Sequence, residues 1–302
     1  MADDLTSLLA SGERAAFHGR PGAGVDPLER AAAMATERNL PTESAAARWL
    51  LAVCQSAAGR FGSALVALDG LLPVTTEAPA ERRIFGALGE ATLASVYRQL
   101  GRHADARAHD EVALLLSGAT GEAGFDAVLG LAADAVGLGE AAAARDHLAA
   151  ATALAGAHAE WWRQRVRLGW VQAEVALLEG RPADAVASAA ASVDQAEHAG
   201  APRHVAKGLL FQGVSLVEAG RHDQAASTLR RAGLLAESLG TLPLLWPARA
   251  VLGALVGEAE PEEGERCFQS ARRTVELMAA DLPETLRADW FARPDVAALL
   301  AE

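Results

Sequence analysis

The sequence is poor in reactive and in large side chains. Its 302 residues include two cysteines, one lysine (Lys207) and one tyrosine, and aromatic residues make up only 5% of the chain. Cys54 and Cys267 lie at opposite ends, so they offer neither a disulfide framework nor the spacing of a metal site. This usage fits a reducing compartment in which buried thiols behave as small hydrophobic groups.

Positive charge and long apolar runs are also scarce. Acidic residues number 39 against 27 basic ones, which gives a net charge of −12. This balance argues against nucleic acid or an anionic membrane as the main partner, because both bind basic surfaces. The start of the chain, Met-Ala-Asp-Asp, has no basic segment followed by an apolar run, and no stretch approaches the length of a membrane span. We therefore expect a cytoplasmic protein.

Catalytic motifs are missing as well. The sequence has no HExxH or GxSxG motif, and its eight histidines are scattered, with no pair four residues apart on one helix. The glycine-rich segment at 19–24 has no preceding strand and no following Lys-Ser or Lys-Thr, so it does not resemble a phosphate loop. The sequence therefore predicts no metal, no cofactor and no enzyme activity.

The chain does contain a short sequence motif, called the repeated phrase below, that recurs about every 40 residues. An apolar run with helical spacing is followed by Gly, usually by Arg, and then by Ala five residues after the glycine. A period in this range is typical of stacked helical hairpins, each of which is stable only against its neighbours. The five instances are Gly59…Ala64, Gly101…Ala106, Gly139…Ala144, Gly180…Ala185 and Gly220…Ala225.

Alanine makes up about a quarter of the residues and falls into columns when the turn glycines are aligned. Seven residues before each glycine stands Ala or Gly, five residues after it Ala, and twelve residues after it mostly Ala. Small residues at these sites let helices pack closely, and glycine at the turn accepts the left-handed conformation that ends a helix. We expect Ala106 and Ala144 to be buried where the two helices of a hairpin meet.

These columns resemble the tetratricopeptide repeat, whose pattern places small residues at equivalent positions around a turn glycine. The period here is longer than that family's, and Tyr97 alone matches its tyrosine. The longer repeat is similar to arrays in bacterial regulators and signalling ATPases, and the tail from Leu282 to Val296 resembles the segment that closes such arrays. The resemblance implies an all-α, right-handed superhelical solenoid of about seven antiparallel helix hairpins.

The positions at which Gly and Pro interrupt the helical runs predict where the helices lie. We expect one domain over 1–302, with a degenerate N-terminal hairpin at 1–40, repeats over 41–281 and a C-terminal cap at 282–302. Hairpins that are not adjacent along the chain are expected not to touch. The predicted helix pairs are 4–18 with 26–39, 41–58 with 61–73, 80–100 with 102–117, 122–138 with 140–156, 159–179 with 181–199, 202–219 with 221–239, 243–257 with 261–280, and a short pair split by Pro294.

In the tetratricopeptide family the first helices of successive hairpins line a concave groove. Carried over by position, the resemblance implies a groove in which several cations and Trp170 cluster on the fourth and fifth repeats. An acidic peptide or another anion would suit this cluster. The alternative is that the arginines pair with nearby acids such as Glu174. The implied groove residues are Trp49, Arg98, Gln99, Arg163, Arg167, Trp170, Glu174, Arg203 and Lys207.

Adjacent helical residues point about 100° apart, so Trp161 and Trp162 cannot face the same surface. We expect one of them in the core and the other at the groove or the next repeat.

Three functions are compatible with these residues. The first is a scaffold that binds a protein or peptide in the concave groove, where the cations would suit an acidic partner. The second is a regulatory sensor that binds a small molecule or signalling peptide there. The third, an enzyme built on a helical solenoid, has no catalytic set of residues to support it.

Overall fold

The computed structural model describes residues 4–301, and within them the chain is helical with no strand. Residues 1–3 and 302 lie outside this range. Most of the Met-Ala-Asp-Asp segment, on which the expectation of a cytoplasmic protein partly rests, is therefore outside the described residues. None of the described helices combines the length and apolar character needed to cross a bilayer. The sixteen α-helices are α1 Leu5–His18, α2 Val25–Glu37, α3 Pro41–Ala58, α4 Phe61–Asp69, α5 Ala80–Gln99, α6 His103–Ser117, α7 Gly121–Gly137, α8 Ala141–Gly156, α9 Trp162–Leu178, α10 Pro182–His198, α11 Pro202–Glu218, α12 His222–Leu239, α13 Leu242–Val256, α14 Pro261–Asp281, α15 Glu284–Ala292 and α16 Pro294–Ala301, with a 3₁₀ turn at Pro21–Gly24.

Consecutive helices pack as antiparallel hairpins, and each hairpin packs against the next. The prediction of an all-α superhelical solenoid is confirmed. The turn glycines of the repeated phrase all have φ between 69° and 84°, the left-handed conformation expected of them. In this region a residue with a Cβ is strained, which explains why glycine recurs there.

The alanine columns form the closest contacts of the hairpins. Ala106 and Ala144 have no solvent-exposed surface, so their predicted burial is confirmed. The equivalent alanines of the other three hairpins are just as buried. At the one non-alanine position seven residues before a turn, Gly213, an added Cβ would lie 2.6 Å from Leu229. Small residues are therefore required here because the facing helix leaves no room for larger ones.

Most predicted helix bounds match the structure within a few residues, and the largest difference is at α4. This helix was expected over 61–73 but ends at Asp69. Gly70 follows it, and Pro73 and Pro79 lie in the loop that leads to α5. Proline lacks the amide donor that would continue the helix, so this loop replaces the last predicted turn.

The solenoid also closes on itself. Helix α1 contacts α11, α3 contacts α13, and α4 contacts α14. The expectation that only adjacent hairpins touch is therefore wrong at these three places, and also where Asp289 of α15 forms an ion pair with Arg102 just before α6. The stacked hairpins complete enough of a superhelical turn to bring the first two against the sixth and seventh, which encloses the concave surface.

The contacts that close the superhelix, which we call the closing seam, have an apolar core and a polar edge. Phe61 of α4 is packed in one cluster with Trp246, Met278 and Trp290 from the C-terminal helices, and all four are buried. At the edge, Asp281 accepts hydrogen bonds from the backbone N–H of Ser63 at 2.9 Å and from its hydroxyl at 2.8 Å. The seam therefore fixes the distance between hairpins that are far apart along the chain.

Both cysteines are free and buried, as the sequence predicted. Burial raises the pKa of the Cys54 thiol to about 12, an effect that the charge of Arg203 only partly offsets. The thiol is therefore protonated at neutral pH and packs as a small apolar group.

Candidate functional site

The enclosed concave surface contains a small cavity of about 150 Å³, which we call the inner chamber. Each of its lining residues belongs to the first helix of a hairpin, as the tetratricopeptide resemblance implied for the groove. Seven of the nine predicted site residues line it. The lining consists of Phe17, Trp49, Val53, Ser56, Ala57, Ala91, Thr92, Ser95, Gln99, Asp126, Arg163, Arg167, Trp170, Arg203, His204, Lys207, Pro243 and Leu244.

Two of the four cations in the inner chamber are compensated by acids. Arg163 donates a hydrogen bond to Asp126 at 3.1 Å and another to Glu122 at 3.3 Å. Arg167 donates to the other carboxylate oxygen of Asp126. For these two arginines the alternative stated above is correct, although their partners lie on the preceding repeat and Glu174 is not one of them.

The other two cations, Arg203 and Lys207, have no acidic group within ion-pair distance anywhere in residues 4–301. The Lys207 ammonium lies 4.6 Å from the ring centre of Trp170 and 5.6 Å from that of Phe211. Arg203 Nε is buried without a hydrogen-bond partner, and so is Nε1 of Trp170. Buried donors of this kind are rare in folded proteins. The inner chamber therefore has more positive charge and more donors than the described protein groups satisfy.

Burial and like charge destabilise both of these cations. The pKa of Arg203 is lowered to about 10 by desolvation, with further contributions from Arg167 and Arg163. The pKa of Lys207 is lowered to about 8, also chiefly by desolvation, and Glu174 offsets part of that effect. An anion placed between them would stabilise the charged forms that the protein alone disfavours.

His204 and Trp170 form an uncharged wall of the inner chamber. His204 is 1% exposed and stacks on Trp170, with ring centres 5.5 Å apart. Burial holds the pKa of His204 well below its ordinary value, and the four neighbouring cations lower it further. The imidazole is therefore neutral at pH 7 and adds no fifth positive charge.

Trp49 and Gln99 also line the chamber. The Trp49 indole N–H donates to the Thr92 hydroxyl at 3.2 Å. The Gln99 amide donates to the Ser56 hydroxyl at 3.4 Å and to the Ser95 carbonyl at 3.2 Å. The bonds to Thr92 and from Gln99 to Ser56 link α3 to α5, and the three bonds together hold both side chains in place at the surface of the chamber.

Arg98 and Glu174, the remaining two predicted residues, do not line the inner chamber. Arg98 is held by Asp110 at 3.0 Å and by Asp134 at 2.5 Å, two carboxylates that are almost fully buried. Glu174 is half-buried, and desolvation raises its pKa although Lys207 and Arg98 act in the opposite direction. Arg98 therefore links α5, α6 and α7 in the observed structure, and a binding role for either residue stays a prediction.

A second, larger cavity of about 1100 Å³ adjoins the inner chamber, and the sequence did not predict it. We call it the aromatic mouth because Phe17, Trp49, Phe85, Trp161 and Trp162 line it. These residues come from α1, α3, α5 and the start of α9, which meet only because the superhelix closes. The low aromatic content of the chain makes each large ring notable, but nothing in the repeat pattern brings these positions together.

The two adjacent tryptophans take the two roles expected of them. Trp161 is 9% exposed, contacts Phe125 edge-on and stacks on His158. Trp162 is half-buried between His18 and His204, with ring centres 5.1 and 5.3 Å away. Trp161 is thus mainly a core residue, whereas Trp162 faces the interior of the superhelix.

Comparisons with known proteins agree with this geometry at the level of the fold. No protein-family model matches the sequence, and a search of curated proteins finds no match. Several solved structures do resemble it. A Rap protein in complex with competence and sporulation factor is 9% identical, with a TM-score of 0.67 over 98% of this chain and 88% of that one. The fold is that of tetratricopeptide-like helical repeat proteins.

Two further structures have the same architecture. Aspartyl phosphate phosphatase F from Bacillus subtilis is 10% identical, with a TM-score of 0.51 over 100% of this chain and 83% of that one. The apo form of RapI is 9% identical, with a TM-score of 0.50 over 99% and 85% of the two chains. At these identities the likeness establishes how the chain folds, while the ligand has to be inferred from the site itself.

Proposed function

We propose that the chain is a regulatory scaffold that binds a peptide, or a peptide segment of a protein, inside its closed superhelix. An acidic group of the ligand lies in the inner chamber against Arg203 and Lys207, with Trp170 as an apolar wall. Arg163 and Arg167 also line the chamber, but their charge is already compensated by Asp126 and Glu122. The ligand is bound and released without chemical change.

The observation that carries this proposal is the pair of cations without acidic partners. A surface arginine without a partner is hydrated by bulk water and needs no explanation. Arg203 is different, because its Nε is buried without a partner and its pKa is depressed. A carboxylate in the chamber would supply charge-assisted hydrogen bonds to both side chains, each stronger than a bond between neutral groups.

The similarity to the Rap protein supports a peptide as the ligand. That protein was solved with competence and sporulation factor bound, and its fold matches nearly the whole of this chain. A solenoid that presents the first helices of its hairpins to one interior surface offers a long contact strip, which suits an extended ligand. For the present chain a peptide ligand is a proposal that rests on this shared architecture and on the charge of the chamber.

Selection from a displayed library of short random peptides tests the proposal. Wild-type protein is expected to enrich peptides that contain Asp or Glu. A selected acidic peptide is then titrated against Arg203→Gln and Lys207→Gln. Each variant is expected to bind at least about tenfold more weakly, because a hydrogen bond to a charged group contributes about 1.5 to 3 kcal/mol.

Arg266→Gln is the matched control, since Arg266 is an exposed arginine of α14. Its affinity for the selected peptide should equal that of the wild type. Circular dichroism shows whether each variant is folded. The proposed site would be contradicted if folded Arg203→Gln and Lys207→Gln bind the peptide as tightly as the wild type does. A wild type that enriches no peptide would contradict peptide binding itself.

A small anionic molecule is the second candidate ligand, and the size of the inner chamber favours it. About 150 Å³ holds a single side chain or a compact metabolite rather than several residues. Native mass spectrometry of protein incubated with cell extract separates the two candidates. A retained small mass that Arg203→Gln loses supports the sensor, and a retained peptide mass supports the scaffold.

A further inference from the structure

The aromatic mouth concentrates a residue type that is scarce in this chain. Five of the fourteen aromatic residues line this one cavity, and Ile84, half exposed at 50%, lies at its edge. The rings form a connected surface, with centres 6.3 Å apart between Phe17 and Trp49 and 6.2 Å apart between Trp49 and Phe85. Trp49, Phe85 and Trp162 are only half-buried, and large rigid rings are the usual anchors of binding surfaces.

The mouth lies next to the inner chamber and shares part of its lining. Phe17, Trp49 and Arg163 line both cavities. The guanidinium of Arg163, on α9, lies 5.3 Å from the ring centre of Phe17, on α1. One ligand can therefore contact both cavities while it passes these three side chains.

Charge distinguishes the two cavities. The mouth is lined by Glu13, Glu122 and Glu160, and its cations are Arg14 and Arg163. Arg163 is already paired with Glu122 and with Asp126, so it offers little attraction to a further anion. An acidic group is thus disfavoured in the mouth and favoured beside Arg203 and Lys207. The orientation of an amphipathic ligand follows from this difference.

We propose that the aromatic mouth binds a bulky apolar side chain of the same peptide whose acidic group lies in the inner chamber. This inference rests on the proposed function and specifies its ligand. The recognised sequence has Asp or Glu with Trp, Phe or Leu close by on one side of it, always in the same order. The acid provides charge recognition, and the apolar residue adds most of the buried area.

A peptide library with one fixed Asp and randomised flanking positions tests the order of the two residues. Wild type is expected to enrich large apolar residues on one side of the acid only. Ile84→Asp places a negative charge in the mouth at an exposed position, and Trp162→Ala removes one ring. Both variants are expected to bind the selected peptide at least about tenfold more weakly than wild type does. An analogue of that peptide with Ala in place of its apolar residue should bind the variants and the wild type equally.

Phe291→Ala is the control, because Phe291 is a partly exposed ring of α15 that lines neither cavity. Enrichment of acid without any apolar preference overturns the assignment of the mouth and leaves the proposed function standing. An apolar preference that persists in both Ile84→Asp and Trp162→Ala also overturns the assignment of the mouth and leaves the proposed function standing. A wild type that binds no peptide overturns the proposed function, and this inference with it.

Discussion

At the scale of single residues, the smallest side chains determine how closely the helices approach. Ala106 and Ala144 follow their turn glycines by five residues and are completely buried. A methyl group is the largest side chain that these contacts admit, because protein interiors are close-packed and leave few voids. The excess of alanine is therefore a packing feature as well as a consequence of helix propensity.

We expect Ala106→Leu and Ala144→Leu each to lower the free energy of unfolding by about 1 to 3 kcal/mol, the usual cost of overpacking. Ala150→Leu is the matched control, because Ala150 is exposed on the same helix as Ala144. Urea denaturation of the three variants measures the difference. If the two buried substitutions are as mild as the control, the alignment of the repeats is wrong.

Lys207 makes anion binding depend on pH. Its pKa is lowered to about 8, so the ammonium form dominates at pH 7 and is lost as the pH rises through 8. Arg203, with a pKa of about 10, keeps its charge over most of this range. We expect the affinity for an acidic peptide to fall between pH 7 and 9. Titrations at several pH values measure the fall, and Lys207→Arg should abolish it because arginine stays charged.

The candidate site was predictable in part. The position of the cationic cluster followed from the repeat alignment, since Arg163, Arg167, Arg203 and Lys207 occupy first-helix positions. Which arginines are compensated could not be read from the sequence, because Asp126 is 37 residues from Arg163 and 41 from Arg167. Partners at that separation depend on the angle between hairpins, which no local pattern encodes.

At the scale of secondary structure elements, glycine and proline explain why most helix bounds could be predicted. A left-handed glycine ends the first helix of a hairpin, and several second helices begin within the next few residues. The exception, the early end of α4 at Asp69, comes from a loop whose prolines compete with an otherwise apolar helical run. Local backbone chemistry therefore decides helix boundaries here more reliably than hydrophobic periodicity does.

Two glycines near α8 test this explanation directly. Gly139 has a φ of 75° and Gly156 is the last residue of the helix, and an added Cβ would meet no atom within 4 Å at either position. Gly139→Ala is expected to lower the free energy of unfolding by about 1 kcal/mol, the cost of a left-handed residue with a Cβ. Gly156→Ala should be neutral or stabilising. Thermal unfolding compares them, and equal effects would contradict a role for the turn conformation.

At the scale of the whole molecule, closure of the superhelix is what the sequence could not show. Each hairpin is rotated slightly against the last, and the sum of these rotations decides whether the ends meet. The residues that form the seam carry no periodic signal: Ser63 and Asp281 are 218 residues apart. Yet closure creates the site, since it brings Phe17 of α1 within 5.3 Å of Arg163 of α9.

Two acids at this seam are expected to differ in importance. Asp281 is half-buried and accepts two hydrogen bonds from Ser63, whereas Asp289 forms an exposed ion pair with Arg102 at 3.2 Å. We expect Asp281→Asn to lower the free energy of unfolding by about 1 to 3 kcal/mol. Asp289→Asn should change it by less than about 1 kcal/mol. Chemical denaturation measures both changes. If Asp281→Asn leaves the free energy of unfolding unchanged, the polar edge of the seam does not hold the ends together.

We propose that an acidic ligand group occupies the inner chamber of the closed superhelix. A crystal structure of the chain with a library-selected acidic peptide tests it most directly. We expect a carboxylate within hydrogen-bond distance of both Arg203 and Lys207, with the peptide continuing past Phe17 and Arg163 toward the aromatic mouth. A peptide bound to the outer, second helices of the hairpins, with the inner chamber unchanged, would contradict it.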